Sequence, residues 1–436
     1  MPTTSRTRRL RLLAASSAAV VAASALAGCG NDGSGGAGGG NALEVWVYQD
    51  ASTAVQERAV ERFNETSDIK INLTQVPGDN YQDKTRTSMG TPNAPDIFFN
   101  WGGGSISDFV EKDMLLDLTD TLNQDLEFRQ SFLPAILDAG AVEGRYYGIP
   151  MRGMQPVMMF YNLEVFEAAG VEPPETFDDV RELIEVFKAE GVVPFSLGGA
   201  DVWPSQMWLQ YLLDRHGSSE VWQRIQDGDS EAWGDPAMLQ TAETVRELVD
   251  AGAFGNNFRS MDYVADGAST FFAQGGAAMH LMGSWEYSNQ KANQPEFAES
   301  HLGWGPFPVI EDGKGDPSAV AGNPTNYWSV NSSVEGDRLD AAIEFLKMSA
   351  EEEYVQDLID NGDVPTTSNA GELLDSHENA EYAQFQYSLV REASNFTLSW
   401  DQALPARPAT AMKNNIEQLF NGQLSPQEFV DAMQDV

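Results

Sequence analysis

Short β-forming runs alternate with amphipathic helical runs along most of this chain, and that alternation limits the folds open to it. The run LEVWVY, residues 43–48, is rich in strand formers, and the segment behind it places Val55, Ala59 and Phe63 on one helical face. Similar apolar runs occupy residues 69–76, 95–99, 157–162, 192–197, 275–283, 302–308 and 326–331. Strands separated by helices predict parallel sheets with crossover helices, so we expect an α/β fold.

Three predicted helices begin with residues typical of a helix cap, and two of them, at Thr53 and Ser425, show the pattern of a capping box. In this motif a hydroxyl at the N-cap accepts a backbone N–H, and a polar side chain three residues later accepts the N-cap N–H. The three segments are Thr53 to Gln56, Thr176 to Asp179 and Ser425 to Glu428. The last one also has proline at the first helical position, which favours a helix start there.

The N-terminal segment has the pattern of an export signal. Four arginines, at positions 6, 8, 9 and 11, precede an apolar run over residues 12–27. This run is shorter than the roughly 20 residues that a membrane-spanning helix needs. A basic start, a short apolar run and small residues before the cleavage point are typical of a signal peptide.

The end of this signal resembles the lipobox of bacterial lipoproteins, in which the cysteine receives a diacylglyceryl group. The matching tetrad is Leu26-Ala27-Gly28-Cys29, so Cys29 is the predicted lipidation site. We predict a signal peptide over residues 1–28 and a glycine- and serine-rich tether over residues 29–41, which behaves as flexible coil. An ordinary secretory signal with an incidental cysteine is the alternative.

Composition excludes several classes of function. The chain carries 66 acidic and 26 basic residues, so its surface would repel the phosphates of nucleic acids. Cys29 is the only cysteine, so hydrophobic cores rather than disulfides must stabilise the fold. The four histidines are scattered and no H-E-x-x-H motif occurs, so we predict no metal site and no cofactor.

Polar and aromatic residues follow the predicted strands, at the positions where an α/β fold places its ligands. Four tryptophans stand beside polar or charged residues in these loops. Such a pairing suits a saccharide, whose apolar C–H face packs on an aromatic ring while its hydroxyls hydrogen-bond to polar groups. The candidate ligand-binding residues are Gln49, Asp50, Asn100, Trp101, Arg152, Asp201, Trp203, Trp285, Glu286, Trp400 and Asp401. The alternative is that these tryptophans simply pack against the surface of the fold.

Four segments, in order along the chain, carry a family resemblance: PDIFFNWGG, YGIPMRGMQPVMMFYN, FFAQGGAAMHLMGSWE and SWDQAL. Together they make residues 42–436 similar to the extracellular solute-binding proteins of ABC importers, in the sugar-binding branch that includes maltose-binding protein. In this resemblance Trp285 and Trp400 fall on sugar-stacking tryptophans of the family. Trp203 falls where the family often has a third aromatic residue.

The resemblance implies a two-lobed periplasmic-binding-protein-like class II fold. Each lobe would be a mostly parallel sheet flanked by helices, with a hinge between the lobes. The implied N-terminal lobe comprises residues 42–150 and 309–363, and the C-terminal lobe comprises residues 151–308 and 364–436. The hinge crossings are then expected near residues 149–152, 306–310 and 363–366.

The resemblance also implies the function. We expect the membrane-anchored substrate-binding component of an ABC importer, which captures a di- or oligosaccharide between its lobes and delivers it to the permease. The expected partners are the carbohydrate, the permease subunits and, through the lipid, the outer face of the cytoplasmic membrane. We expect a monomer.

Two alternatives remain open. The same fold could bind a polyol, a phosphate ester or a peptide, although only Arg152 is placed to meet a phosphate. A surface-anchored glycoside hydrolase would instead need two carboxylates about 5 to 9.5 Å apart, and Asp401 with Glu286 is the candidate pair. No G-x-S-x-G motif of a serine hydrolase is present. We expect a binding protein and not an enzyme.

Overall fold

The computed structural model describes residues 42–78, 80–263, 267–374 and 380–435. The predicted signal peptide, Cys29 and the tether lie outside these residues. The strands are β1 (Ala42–Gln49), β2 (Lys70–Pro77), β3 (Ile97–Asn100), β4 (Ala141–Val142), β5 (Arg145–Tyr146), β6 (Ile149–Pro150), β7 (Gln155–Asn162), β8 (Val193–Ser196), β9 (Ala277–Gly283), β10 (Leu302–Gly305), β11 (Val320–Asn323), β12 (Tyr327–Val330) and β13 (Phe396–Leu398).

Helices separate most of these strands. They are α1 (Thr53–Thr66), α2 (Asn80–Ser88), α3 (Gly104–Glu111), α4 (Thr119–Gln124), α5 (Leu126–Gln130), α6 (Pro134–Asp138), α7 (Leu163–Ala169), α8 (Phe177–Ala189), α9 (Trp203–Gly217), α10 (Ser219–Gln226), α11 (Pro236–Asp250), α12 (Ala268–Ala273), α13 (Trp285–Asn293), α14 (Pro295–Ser300), α15 (Asp337–Lys347), α16 (Glu352–Asn361), α17 (Ala370–Leu374), α18 (Ala380–Arg391), α19 (Trp400–Ala403), α20 (Ala406–Phe420) and α21 (Pro426–Gln434). Short 3₁₀ helices occupy Ser230–Gly234, Phe258–Ser260 and Met348–Ala350.

The first lobe is built on a sheet with the strand order β2-β1-β3-β12-β6. Strand β1 is parallel to both β2 and β3, whereas β12 is antiparallel to β3 and β6. The carboxyl ends of β1 and β3 therefore lie at the same edge of the sheet. A hydrophobic cluster packs around this sheet and includes Val45, Phe98, Trp328 and Phe345.

The second lobe is built on a sheet with the order β13-β11-β7-β9-β8, with β10 also paired to β7. Strands β8 and β9 are parallel, so their carboxyl ends share an edge. Strand β7 is buried along its whole length and is antiparallel to β9, β10 and β11. A second, larger cluster that includes Phe160, Trp208 and Met279 surrounds this sheet.

The α/β fold with two sheets flanked by helices is confirmed, but both sheets are mixed rather than mostly parallel. The reason is that the chain passes between the lobes. Strands β7 and β12 each enter their sheet from the other lobe, and β11 follows a long loop; none arrives through a crossover helix that would keep it parallel.

The sheet pairings also correct two predicted lobe boundaries. The first crossing lies between Pro150, the end of β6, and Gln155, the start of β7. The second lies between Asn323 and Tyr327, because β11 still belongs to the second sheet; the prediction near residues 306–310 is wrong. The third lies beyond Ser368, since residues 366–368 still pair with residues 131–133 of the first lobe.

The first crossing closely contacts both the second crossing and the segment that precedes the third. The Met151 N–H donates to the carbonyl oxygen of Asn326 at 2.9 Å, and the Met154 N–H donates to that of Val364 at 2.7 Å. Gly153 allows this approach, because a Cβ there would lie 2.8 Å from the Val364 carbonyl oxygen.

Residues 40–436 form one compact unit with its own cores, so this part of the chain is expected to fold without the segment before it.

The predicted capping box of Ser425 with Glu428 is confirmed, and the predicted cap at Thr176 is also confirmed and forms a box with Asp179. The prediction of a capping box at Thr53 is wrong. Its hydroxyl donates to the Tyr48 carbonyl oxygen at 3.0 Å, and the Gln56 side chain donates to the Tyr354 hydroxyl at 3.1 Å.

Within the described residues, no helix combines the length and apolarity needed to cross a membrane.

Replacing Thr176 by alanine should lower the free energy of unfolding by about 1 kcal/mol, because the Asp179 N–H loses its acceptor. Urea denaturation of the chain from residue 40 measures this change. Thr176→Ser keeps the hydroxyl oxygen and should restore most of the lost stability. Equal stability of the alanine variant and the parent would show that the box contributes nothing.

Candidate functional site

A cavity of about 450 Å³ lies between the two lobes, at the edges where the paired strands end. Its first-lobe wall comes from α2, the end of β3 and α3. Its second-lobe wall comes from the loop before α9, from α19 and from the first turns of α20. Among the lining residues are Tyr81, Asn100, Trp101 and Asp108 of the first lobe and Asp201, Asp401, Leu404 and Lys413 of the second.

The lobes touch each other beside this cavity. The Gln82 side chain donates to the Gln402 side chain at 2.9 Å, across the two lobes. A Cβ on Gly104 would lie 2.6 Å from the Leu404 carbonyl oxygen, so the backbones meet where a side chain could not fit. A Cβ on Gly103 would lie 2.7 Å from a side-chain methyl carbon of Leu398. The glycines of the GGGS segment thus let the first lobe approach the second.

Three aromatic rings of the second lobe, those of Trp203, Tyr263 and Trp285, form a group, called here the aromatic group. The Trp203 ring lies 6.0 Å from that of Trp285 at an angle of 56° and 5.1 Å from the ring of Tyr263 in an edge-on arrangement. Both tryptophans are half-buried, so part of each ring faces solvent. Trp203 begins α9, and Trp285 begins α13 directly after β9.

The orientation of Trp285 depends on a glycine. A Cβ on Gly283, the last residue of β9, would overlap the six-membered part of the Trp285 ring. The ring therefore lies directly against the backbone of Gly283. This packing covers one face of the indole and fixes its direction relative to Trp203.

A further aromatic group stands on the first lobe. The Trp101 ring, half-buried at the end of β3, contacts Tyr48, Tyr81 and Phe99 in edge-on pairs at centroid distances of 4.7 to 5.8 Å. The Tyr81 hydroxyl donates to the Phe99 carbonyl oxygen at 2.8 Å, and burial raises the pKa of Tyr81 far above its ordinary value. These contacts hold the Trp101 ring at the wall of the cavity.

Two carboxylates line the cavity from the second lobe. Asp201 accepts the backbone N–H of Tyr263 at 2.7 Å, which joins the cavity wall to the aromatic group. Asp401 accepts the side-chain N–H of Gln206 at 2.5 Å. Burial raises the pKa of Asp401, whereas this hydrogen bond and the Lys413 ammonium oppose the rise.

Arg152 does not face the space between the lobes, contrary to prediction. Its side chain is 1% exposed, forms an ion pair with Asp50, donates to the Tyr48 carbonyl oxygen at 3.1 Å and lies over the Phe99 ring. Asp50 is 35% exposed at the end of β1, beside exposed Gln49. Arg152 can therefore affect a ligand only through the position of Asp50.

Glu286, which was predicted to contact the ligand, is also buried in this structure. Its carboxylate accepts hydrogen bonds from the Tyr263 hydroxyl at 2.8 Å, the Ser269 hydroxyl at 2.9 Å and the Gln290 amide at 2.6 Å. Burial alone raises its pKa, but nearby His280 and these donors hold the pKa of Glu286 below its ordinary value. This carboxylate orients Tyr263 and has no exposed surface from which to reach a glycosidic oxygen, so the structure does not support its pairing with Asp401 in a hydrolase.

Trp400 is a core residue in this structure, because its side chain is 1% exposed and its ring stacks on Trp222 at 4.5 Å. Its predicted role as a stacking surface does not fit this position. Asn100 lines the cavity, but its amide already bonds to Ser329 at 2.8 Å and to the Gly102 N–H at 2.9 Å.

The structure thus brings together part of the predicted set. Asn100, Trp101, Asp201 and Asp401 line the cavity, while Trp203 and Trp285 lie beside Tyr263. Sequence reasoning missed Tyr263 because this residue follows no strand. Its only sequence signal was an aromatic residue in a polar loop before α12.

A family profile decides the identity of this chain. The profile of the bacterial extracellular solute-binding proteins matches residues 47–356. This chain belongs to that family. Its members are extracellular solute-binding proteins of bacteria.

Several individual proteins are similar to it. An ABC transporter extracellular-binding protein of Pyrococcus horikoshii is 25% identical over 51% of this chain and 50% of its own. The multiple sugar-binding protein of Streptococcus mutans is 27% identical over 40% of this chain and 41% of its own. The chain spans about half the length of the curated relatives it matches.

A solved structure gives a longer match. It was described for xylan utilization by the thermophilic bacterium Caldanaerobius polysaccharolyticus, with 27% identity and a TM-score of 0.81. The alignment covers 90% of this solute-binding protein and 99% of that chain. The two-lobed architecture is therefore shared over almost the whole described region.

Replacing Gly283 by alanine should move the Trp285 ring, since a methyl group there overlaps it. We expect an altered near-ultraviolet circular dichroism spectrum, because the paired indoles would lose their fixed geometry. Gly371→Ala is the matched control, as its Cβ would meet Tyr387 at an ordinary contact distance of 3.6 Å. An unchanged spectrum for Gly283→Ala would show that the glycine does not orient the ring.

Proposed function

We propose that this protein is the substrate-binding component of an ABC importer for a di- or oligosaccharide. The sugar would bind between the lobes by stacking on tryptophan rings and by hydrogen bonds to polar side chains. The closed protein would then deliver the sugar to the permease subunits. The observation that carries this proposal is the pair of half-buried rings of Trp203 and Trp285, packed with buried Tyr263 beside a polar cavity between the lobes.

The chemistry of this site favours an uncharged, hydroxyl-rich ligand. Aromatic rings offer apolar faces for the C–H face of a pyranose, and Asp201 and Asp401 offer acceptors for hydroxyl groups. Phosphate esters and other anions are disfavoured, because Asp83, Asp108, Asp201 and Asp401 line the cavity against Arg86 and Lys413. This balance of charge is less suited to an anion than to a neutral sugar.

The arrangement also favours more than one sugar ring. The aromatic group and the cavity are adjacent, because Asp201 lines the cavity and bonds to the backbone of Tyr263. A cavity of about 450 Å³ falls within the range of small-molecule sites, roughly 300–1,000 Å³. One ring at the tryptophans and another in the cavity would use both parts of the site. The sugar-binding and xylan-related names among the similar proteins support this choice of ligand.

We further propose that Cys29 carries a lipid that holds the protein at the outer face of the cytoplasmic membrane. Two acyl chains suffice for stable anchoring, since each buried CH₂ group contributes about 0.8 kcal/mol. The glycine-rich segment over residues 29–41 would let the lobes capture sugar, close and then dock on the permease.

A thermal-shift screen of residues 40–436 against monosaccharides and xylo-, cello-, chito- and malto-oligosaccharides tests the ligand class. Tight binding should raise the unfolding midpoint by mass action. We expect a shift with one oligosaccharide series and intact sugar at the end. No shift with any sugar would contradict the saccharide proposal and leave polyols, peptides and phosphate esters, whereas cleaved sugar would indicate a hydrolase.

Replacing Trp285 by alanine should weaken binding of that sugar at least tenfold, about 1.4 kcal/mol, because a stacking surface is lost. Isothermal titration calorimetry measures the affinity. Trp304→Phe, a change at a half-buried ring packed against Tyr287 and Tyr382, is the control and should bind like the parent. Unchanged affinity for Trp285→Ala would remove this residue from the site.

Replacing Gly104 by alanine should hinder closure, because its methyl group would meet the Leu404 carbonyl oxygen at 2.6 Å. We expect weaker sugar binding and a smaller decrease in the radius of gyration on adding sugar, measured by small-angle X-ray scattering. Gly371→Ala again serves as the control, and equal compaction of the Gly104 variant and the parent would contradict the closure proposal.

A further inference from the structure

Val202, between cavity residue Asp201 and ring residue Trp203, has an unusual backbone conformation. Its φ is 64° and its ψ is −41°, and the Trp203 N–H donates to the Asp201 carbonyl oxygen at 2.7 Å. These angles and this bond define a γ-turn with positive φ, which is rare and strained. A β-branched residue is especially unfavourable there, because its Cβ substituents meet the backbone.

The chain on both sides of Val202 is held firmly, which explains how the strained turn persists. Before it, the Gly199 N–H donates to the Phe258 carbonyl oxygen at 2.9 Å, and Asp201 accepts the Tyr263 N–H at 2.7 Å. After it, the Val202 carbonyl oxygen accepts the Ser205 N–H at 2.9 Å in the first turn of α9. Neither side can rotate without breaking these bonds.

The start of helix α9 does not itself require this conformation. Val202 provides no side-chain cap to the helix. Helix α8 begins with an extended threonine that does cap, and helix α11 begins in the same way with an aspartate. A residue of that kind would start α9 without strain, so the turn must be explained by something other than the helix.

The position of the turn supplies a reason. Val202 lines the cavity together with Asp201, and Trp203 belongs to the aromatic group next to it. The other described non-glycine residues with positive φ are Asp113, Glu143 and Ser218, none of which is β-branched or lines the cavity. The strained β-branched residue is thus found at the candidate site.

We propose that Val202 is a positioning residue, whose strained γ-turn directs the Asp201 carboxylate and the Trp203 ring to the same ligand. This inference rests on the proposed saccharide function. The turn joins the two residues directly, through the bond from the Trp203 N–H to the Asp201 carbonyl oxygen. The valine side chain restricts the turn further and completes the cavity wall. Preformed geometry of this kind lowers the entropy cost of binding.

The test compares Val202→Gly with Val202→Ala in residues 40–436. Glycine normally destabilises a protein relative to alanine, but it removes the strain of a positive φ. We expect the glycine variant to have the higher urea midpoint of the two, and the near-ultraviolet circular dichroism of its tryptophans to weaken. We also expect it to bind the sugar found in the screen at least threefold more weakly than the parent.

Glu143→Gly is the control, because Glu143 has a φ of 51° in an exposed turn away from the cavity. It should leave sugar affinity unchanged. A higher midpoint for Val202→Ala than for Val202→Gly would overturn the inference, whatever the ligand. Parent-like sugar affinity in the glycine variant would overturn it as well, while the proposed function would stand. If the parent itself binds no sugar, the proposed function fails. The urea midpoints and the near-ultraviolet spectrum then still test the inference about the turn at Val202.

Discussion

The arrangement of the two lobes depends on the interactions made by one buried side chain, that of Arg152. It belongs to the first crossing and forms an ion pair with Asp50 at the end of β1. The backbone carbonyl of Arg152 accepts the hydroxyl of Thr325 from the second crossing at 2.7 Å. A charge buried this deeply is stable only with its partners in place, so the pair keeps the crossings together and the end of β1 aligned with them.

The candidate site builds on this frame through close backbone approach and buried polar bonds. Gly104 brings the first lobe against the second, and Gly283 lets an indole lie on the end of β9. Glu286 holds the Tyr263 hydroxyl at 2.8 Å from inside the core. The groups that would face a ligand are therefore oriented by backbone packing and buried bonds, which leave the exposed rings and carboxylates in fixed positions.

Much of the fold was predictable because its signals are local. Apolar runs located β1, β2, β3, β7, β8, β9, β10 and β12 but not the shorter strands β4, β5, β6, β11 and β13. Hydroxyl and carboxyl residues at fixed spacing located the starts of α8 and α21. The box at Thr53 was not predictable, because Gln56 bonds to distant Tyr354 instead. Strand direction and the second and third crossings also depend on which sheet a returning strand joins, and no local pattern records that choice.

For the site, the sequence by itself determined the chemistry that was available: tryptophans and carboxylates directly after strands, in a family of exported binding proteins. Tertiary structure decided which of these groups could be used. Trp400 stacks on Trp222, and Arg152 and Glu286 are enclosed by partners far along the chain or on other elements, whereas Tyr263 is carried to the tryptophans by its loop. The physical reason is that exposure and orientation depend on long-range packing, while the type of residue depends on the chain alone.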